Sequence, residues 1–357
     1  MNFSETIFLT GFPGFIAARL VERLAKPDTR FLLLAEKNTI EKAEKLIEEI
    51  ARNTSTSADN FKIIEGDIRF EKLGMSNADY KEVFENSTDV YHLAAIYDLG
   101  VRKKIAHQVN VEGTRNVNEL IKILPNLRRY NYISTCYVAG KRTGEIYETE
   151  LEHDAGFRNF YEETKYLAEL EVEKLKKNYP VTIFRPSVVV GDSETGETAK
   201  YDGIYSLINY LRIAPNLLRF VNVGNSAVKL NLVPVDFVVE GIAALAKDKN
   251  AVGKTIALAD PNPLTTEQLF DEIAKALTNK QSIIKPPAQL VEKSLMLPFS
   301  PAISGLPFPS VPYFFVPQTY DTSVGKELLS SHNVACPAFP SYIENLLKFV
   351  AAHPKLN

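Results

Sequence analysis

Three side chains in the middle of the chain have the types and the spacing needed to deliver a proton to a carbonyl oxygen. Tyr161 and Lys165 are one helical turn apart in a strongly helical stretch, so they share one helix face. A phenol, with a pKa of about 10, is a slow proton donor at neutral pH, and a nearby ammonium favours its ionised form. Thr135 follows an apolar strand and offers a hydroxyl to the carbonyl oxygen. The three side chains predict hydride-transfer chemistry at a carbonyl.

Asn110 is a fourth candidate for this chemistry. It falls inside a predicted helix that continues through Val117 and Ile121, where asparagine is unfavourable because its amide competes for backbone partners. We therefore expect Asn110 either to take part in catalysis or to fill a kink in the helix. His92, in a strand upstream, is expected to be structural.

The elements that position these residues begin at a glycine turn near the N-terminus. Thr6 to Leu9 reads as a buried strand, and apolar residues recur at helical spacing from Phe15 onwards. Gly11 permits a tight turn, and Gly14 lets the backbone approach a pyrophosphate at the helix N-terminus. The spacing Gly-x-x-Gly-x-x-Ala predicts a dinucleotide site, and the alternative is a βα turn in some other doubly wound protein.

Three further apolar runs end in residues suited to the rest of a dinucleotide. Glu36 at one strand end favours the ribose hydroxyls of NAD, whereas Lys37 beside it leaves the 2′-phosphate of NADP open. Asp67 at another would meet the adenine amino group, or else it forms a simple Gly-Asp turn. Ala94 and Ala95 are small enough to leave room for the nicotinamide.

Composition excludes several other classes of function. The 357 residues carry a net charge of −3, which gives no sign of nucleic-acid binding. The two cysteines, Cys136 and Cys336, and the five histidines lack metal-ligand spacing, so we expect no metal site. The N-terminus does not resemble a signal peptide, which predicts a cytoplasmic protein.

Residues 294–320 contain no charged side chain. Six prolines between residues 298 and 317 argue against a transmembrane helix, so we predict no membrane span. We expect an irregular apolar segment that lines the substrate site, although a contact between lobes or subunits, or with a membrane surface, would explain the composition equally well.

Taken in chain order, these features resemble the extended short-chain dehydrogenases/reductases, the superfamily that includes NAD-dependent epimerases and dehydratases. The matching motifs are Thr10-Gly11-x-x-Gly14-Phe15-Ile16, Gly66-Asp67-Ile68, His92-Leu93-Ala94-Ala95, Asn110-Val111-x-Gly113-Thr114, Ser134-Thr135-x-x-Val138, Tyr161-x-x-x-Lys165, Arg185-Pro186-Ser187 and Val233-Pro234-Val235-Asp236. The resemblance implies a catalytic tetrad of Asn110, Thr135, Tyr161 and Lys165, in which Lys165 also binds the nicotinamide ribose and Asn110 holds a water.

A closer resemblance follows the last Rossmann strand. Arg185-Pro186, followed by Gly191-Asp192-Ser193-x-Thr195-Gly196, is similar to the thioester reductase-like branch, which is related to fatty acyl reductases. Those proteins use NAD(P)H to reduce acyl thioesters or aldehydes. The chain departs from the branch at Glu36, where an arginine usually meets the NADP phosphate, and we expect no accompanying carrier or adenylation domain.

The sequence thus predicts an α/β protein, a Rossmann doubly wound parallel sheet with a smaller C-terminal α/β substrate lobe. Residues 1–190 and about 228–260 form the predicted NAD(P)-binding domain, and about 191–227 and 261–357 the substrate lobe. The candidate cofactor-binding residues, for NADP(H) or NAD(H), are Gly11, Phe12, Pro13, Gly14, Phe15, Ile16, Glu36, Lys37, Asp67, Ile68, Leu93, Ala94, Ala95, Tyr161, Lys165, Pro186, Ser187 and Val188.

The predicted activity is NAD(P)(H)-dependent hydride transfer to or from an aldehyde, ketone or acyl thioester of an apolar substrate, including a CoA or carrier-protein thioester. A nucleotide-sugar epimerase or dehydratase and a non-catalytic NAD(P) sensor are the alternatives. Dehydratases of this fold carry Asp-Glu after the catalytic threonine, where this chain has Cys136-Tyr137. The resemblance also allows a homodimer through helices that begin near Val109 and Glu162.

Overall fold

The computed structural model describes residues 3–298, 300 and 306–356. Its strands are β1 (Glu5–Thr10), β2 (Thr29–Ala35), β3 (Phe61–Glu65), β4 (Asp89–His92), β5 (Arg129–Ile133), β6 (Gly144–Ile146), β7 (Val181–Pro186), β8 (Val188–Val190), β9 (Leu232–Pro234), β10 (Thr255–Leu258) and β11 (Gln318–Tyr320). Its α-helices are α1 (Phe15–Leu24), α2 (Ile40–Thr54), α3 (Asn77–Asn86), α4 (Lys103–Ala106), α5 (Gly113–Ile123), α6 (Phe160–Glu173), α7 (Ile204–Ile213), α8 (Pro215–Leu218), α9 (Val235–Leu245), α10 (Thr266–Thr278), α11 (Ala288–Leu295), α12 (Ser323–Ser330) and α13 (Ile343–Ala352).

Seven of these strands form one parallel sheet in the order β3-β2-β1-β4-β5-β7-β10. The central strand β1 is buried along its whole length because both sheet faces are covered, and its Ile7, Phe8 and Leu9 have no exposed surface. The strand order reverses between β1 and β4, which opens a crevice at the carboxyl ends of these strands. The predicted Rossmann doubly wound fold is confirmed.

A second, smaller core belongs to the C-terminal lobe. Helices α7, α10 and α13 pack around it, with β8 and β9 as its short parallel pair. The predicted division of the chain near residues 190, 228 and 260 stays a prediction. Helix α12 falls in the predicted substrate lobe but packs on α9 and β10 of the predicted NAD(P)-binding domain. Its Leu329 is buried in the core of the Rossmann sheet.

The described part of the uncharged stretch is irregular, as expected. After α11 (Ala288–Leu295), the described part of the segment includes a 3-10 helix over Phe308–Phe314 and then strand β11, which pairs with β6. Phe299 and residues 301–305 lie outside the described residues. None of the helices that the structure describes is both long and apolar enough to cross a bilayer.

Candidate active site

A cleft of about 690 Å³ lies where the glycine turn faces the ends of β4 and β5. All the sequence-predicted site residues line this cleft except Lys37 and Asn110. The predicted residues that line it are Gly11, Phe12, Pro13, Gly14, Phe15, Ile16, Glu36, Asp67, Ile68, Leu93, Ala94, Ala95, Thr135, Tyr161, Lys165, Pro186, Ser187 and Val188.

The turn between β1 and α1 has no room for side chains at its two glycines. Gly11 adopts φ +93°, and a Cβ there would lie 2.7 Å from the backbone nitrogen of Ala94. A Cβ on Gly14 would lie 2.7 Å from the Gly11 carbonyl oxygen. The first intrahelical bond of α1 runs from Ala18 N to Gly14 O, so the preceding N–H groups have no helical acceptor. This cradle of backbone donors fits a pyrophosphate.

The end of the cleft beside β2 suits an adenosine ribose, with one change from the expected residues. Glu36 lines it as predicted, but Lys37, in the 3-10 turn after β2, does not. Thr39 and Lys42, which sequence reasoning missed, line the cleft instead. Lys42 lies in the first turn of α2, so its position at the start of this predicted helix was the sequence signal that could have identified it.

Asp67 lines the same end but is already paired. Arg69 Nε donates to both of its carboxylate oxygens, at 3.0 and 2.9 Å. Partial burial opposes ionisation of Asp67, but the hydrogen bonds from Arg69 outweigh it and lower the pKa of this carboxyl. The predicted contact with adenine therefore has to coexist with the Asp67–Arg69 pair.

Tyr161 and Thr135 meet at the other end of the cleft. Asn159 caps α6 by accepting from Glu162 N at 3.0 Å, which starts the helix just before Tyr161. The Tyr161 side chain is buried, and Tyr161 and Thr135 both line this end of the cleft. Burial raises the pKa of Tyr161 above its ordinary value, and the nearby Thr135 hydroxyl opposes this rise. Two hydroxyls thus converge on one point of the cleft wall.

Lys165 lies one turn further along α6 and is almost fully buried. Its Nζ donates to Tyr132 Oη at 3.0 Å and to the carbonyl oxygen of Ile133 at 2.9 Å. Burial lowers the pKa of Lys165 to about 8, and the carboxylate of Glu169, one turn beyond, opposes that shift. The ammonium is therefore fixed on the end of β5 rather than free beside the Tyr161 phenol.

Asn110 holds two elements together behind the cleft. It lies in a π-helical segment, His107–Glu112, between α4 and α5. Its Oδ1 accepts from Ile96 N at 2.9 Å, and its Nδ2 donates to Thr164 Oγ1 at 3.0 Å. These bonds correspond to the kink-filling alternative, and they join the loop after β4 to helix α6.

A buried ion pair lies beneath helix α6, and the sequence reasoning missed it. Glu169 accepts from Arg185 Nε at 2.9 Å and from its Nη2 at 2.6 Å, and it also accepts from the Ser134 hydroxyl. Arg185 and Ser134 belong to the recognised motifs, whereas Glu169 is marked only by its i, i+4 spacing from Lys165. The pair ties α6 to β7 directly below the cleft.

Cys136 donates its thiol to the carbonyl oxygen of Arg185 at 3.1 Å, and burial raises the pKa of this thiol. These features suit a structural cysteine rather than a nucleophile. His92 is likewise enclosed, because its ring nitrogens lie 2.7 Å from Thr10 Oγ1 and 3.1 Å from Thr114 Oγ1.

The substrate end has walls that the sequence did not predict. They comprise Tyr97, Tyr137, Val189, Thr198, Ala199, Lys200 and Asp202. The Tyr97 ring meets the Tyr161 ring edge-on, with centroids 5.2 Å apart, and the Lys200 ammonium lies 5.3 Å from the Tyr97 centroid. The loops around residues 97 and 200 thus face each other over Tyr161.

Two anchors hold these walls in place. In the Gly191 to Gly196 motif, Asp192 pairs with Arg19 of α1 at 3.1 Å, and the Ser193 hydroxyl donates to Asp236 of α9 at 2.6 Å. Tyr313, from the uncharged segment, packs its ring at a tilt against Tyr137, with centroids 4.5 Å apart, and donates to the buried carboxylate of Glu162 at 2.6 Å. The motif and the segment therefore both shape the substrate end.

Comparisons with known proteins agree with this arrangement. The family model described as male sterility protein matches residues 9–242. The chain is 28% identical over 279 residues to the fatty acyl-CoA reductase wat of Drosophila melanogaster, a match that covers 68% of this chain and 54% of that protein. The chain thus spans about half the length of this relative.

Two solved structures show the same fold. The terminal R domain of the myxalamid PKS-NRPS biosynthetic pathway superposes with a TM-score of 0.82 at 23% identity, covering 99% of this chain and 92% of that one. UDP-glucuronic acid 4-epimerase from Bacillus cereus, in complex with NAD, superposes with a TM-score of 0.65 at 21% identity, covering 97% and 96%.

The family match takes in well over half of the chain, from the glycine turn to helix α9. The geometry of the cleft fits a dinucleotide independently, through the two closed glycine positions and the unpaired N–H groups of α1. The chain therefore belongs to the NAD-binding family described as male sterility protein, within the extended short-chain dehydrogenases/reductases, and its cofactor is NAD(P)(H).

Proposed function

We propose that this chain is an NAD(P)H-dependent oxidoreductase that reduces the carbonyl of an apolar acyl thioester or aldehyde. The observation that carries the proposal is the convergence of the Tyr161 and Thr135 hydroxyls in the cleft whose other wall is the glycine turn. The fatty acyl-CoA reductase among the relatives supports an acyl substrate.

Each residue has a proposed part in the reaction. The glycine turn and the first N–H groups of α1 hold the pyrophosphate, and Glu36 with Lys42 flank the adenosine ribose. Bound NAD(P)H supplies the hydride. Thr135 donates a hydrogen bond to the carbonyl oxygen, and Tyr161 delivers the proton to that oxygen. Lys165 supplies a positive charge and an N–H donor on the same wall.

The walls of the substrate end support an apolar chain with an anionic arm. Tyr97, Tyr137 and Val189 present apolar surface, whereas the exposed Lys200 adds a cation at the mouth of the cleft. A thioester of CoA or of a carrier protein carries a phosphate on its pantetheine arm. We propose that Lys200 meets this phosphate while the acyl chain packs on the aromatic wall.

Turnover of a matched pair of substrates tests this proposal. We expect decanoyl-CoA and decanal both to be reduced, measured as the loss of NAD(P)H absorbance. Lys200→Ala should raise the KM for decanoyl-CoA about tenfold, the equivalent of about 1.4 kcal/mol. The KM for decanal should change by less than about twofold, because decanal has no anionic arm.

Lys45→Ala is the matched control, since Lys45 is an exposed lysine on α2 whose side chain pairs with Glu41. It should leave both KM values unchanged. If wild type binds NADPH and NADH but reduces neither decanoyl-CoA nor decanal, the proposed activity is wrong. An equal rise in the two KM values for Lys200→Ala would mean that Lys200 does not recognise the phosphate.

The choice between NADPH and NADH depends on the cation beside the ribose. We expect Lys42→Ala to weaken binding of NADPH about tenfold and of NADH less than about twofold, because only NADPH carries a 2′-phosphate. Lys37→Ala, a change of the same kind outside the cleft, should alter neither affinity. Dissociation constants from calorimetric titration check this. A larger effect for Lys37→Ala than for Lys42→Ala would mean that Lys37, the residue expected from the sequence, binds the 2′-phosphate.

The homodimer stays a prediction. The outer faces of α5 and α6, which would form it, carry Arg115 paired with Glu171 at 2.9 Å across the two helices. We propose that a dimer formed there would use these charged groups, and sedimentation at rising salt concentration tests it.

A further inference from the structure

The Lys165 ammonium has three N–H groups, and β5 takes two of them. The acceptors are the Tyr132 hydroxyl oxygen at 3.0 Å and the Ile133 carbonyl oxygen at 2.9 Å. Lys165 also lines the cleft, so the third N–H is the one available to a bound molecule. We propose that Tyr132 is a positioning residue for Lys165. The Tyr132 phenol oxygen holds the Lys165 ammonium in the orientation that presents this third N–H to the cofactor ribose.

The Tyr132 ring is held rigidly enough for this part. Its side chain is 1% exposed, and its centroid lies 5.5 Å from that of His92 on the neighbouring strand β4. Burial and this ring contact with β4 therefore hold the phenol in place, and a buried side chain without an oxygen at position 132 would leave the ammonium one acceptor short.

The charges around Lys165 make this acceptor important. Glu169 of α6 is the carboxylate that favours the ammonium. Tyr161 lies on the same helix, one turn before Lys165. His92 of β4 is neutral, because burial and then the Lys165 ammonium lower its pKa to about 3. Burial raises the pKa of Tyr132, so this group is a neutral phenol. Loss of its oxygen would therefore favour deprotonation of Lys165.

Tyr130 provides a matched control on the same strand. It is fully buried, like Tyr132, and its hydroxyl donates to Asn118 Oδ1 at 3.0 Å. Tyr130→Phe and Tyr132→Phe each remove one buried, hydrogen-bonded hydroxyl, but only Tyr132 touches Lys165. A general effect of losing a buried hydroxyl will appear in both variants.

The test measures the dissociation constant of the tighter-binding cofactor at about pH 6.5 and about pH 8.5, below and above the pKa of Lys165. For Tyr132→Phe we expect weakening of less than about twofold at the lower pH and about fivefold or more at the higher pH. Tyr130→Phe should show the same ratio to wild type at both values. Equal, pH-independent behaviour of the two variants would overturn the proposal.

The inference rests on the proposed function for the role of Lys165, but its readout is binding and does not require turnover. If wild type is inactive but Tyr132→Phe shows the pH-dependent loss of cofactor affinity, the proposed activity is rejected and the positioning role is kept. If wild type is active but Tyr132→Phe shows no such loss, the proposed activity is kept and the positioning role is rejected. If Tyr132→Phe does not fold, as judged by its thermal unfolding, 3-fluorotyrosine is placed at position 132, because it keeps the ring and the hydroxyl but makes the phenol oxygen a weaker acceptor for Lys165. A pH-dependent weakening in the same direction then supports the proposal, and its absence contradicts it.

Discussion

Tyr161→Phe should lower kcat for decanal by about 10²–10⁴-fold while leaving the affinity for the cofactor within about twofold of wild type. The substitution removes one hydroxyl from a side chain that is 7% exposed, and it keeps the ring that packs against Tyr97. The buried ring therefore keeps its packing, and only the phenol oxygen is removed from the cleft wall. Since the phenol is the proposed proton donor, chemistry should fail before binding does.

Steady-state turnover and calorimetric titration measure the two quantities separately. Tyr166→Phe is the control, because Tyr166 lies on the same helix but packs against His153 and Phe157 away from the cleft. It should leave kcat unchanged. Full activity of Tyr161→Phe would remove Tyr161 from the reaction, whereas wild type that binds the cofactor and reduces nothing would favour the sensor alternative.

The elements that position the cofactor could be predicted from the sequence because their signals are local. The predicted strand Thr6 to Leu9 lies within β1 (Glu5–Thr10), and the glycine turn follows from residues adjacent in the chain. Tyr161 and Lys165 share a face because they lie within one regular helix. Such patterns depend on backbone geometry that a short segment determines by itself.

The contacts that were missed join distant segments. Glu169 of α6 pairs with Arg185 of β7, and Lys165 of α6 bonds to Tyr132 of β5, so no spacing within one element indicates either contact. Lys37 and Asn110 do not line the cleft, and both lie in local irregularities that helical periodicity does not capture. Lys37 lies in a 3-10 turn after β2, and Asn110 lies in a π-helical segment before α5.

Gly11→Ala should abolish most cofactor binding, raising the dissociation constant by about 100-fold, or about 2.7 kcal/mol. The residue adopts φ +93°, which costs an L side chain about 1–3 kcal/mol. Its Cβ would also lie 2.7 Å from Ala94 N and 2.9 Å from the Leu93 carbonyl carbon, both backbone atoms that line the cleft. The turn must therefore move away from β4, and the cradle for the pyrophosphate is lost with it.

Gly156→Ala separates the strain from the collision. Gly156 has φ +74°, but a Cβ there would meet nothing within 4 Å. Both variants should lose stability from the backbone strain, and Gly11→Ala should lose about 1–3 kcal/mol more because its neighbours are rigid backbone. Only Gly11→Ala should weaken cofactor binding. Calorimetric titration together with urea unfolding measures both effects, and comparable cofactor affinities in the two variants would mean that the turn between β1 and α1 does not hold the pyrophosphate.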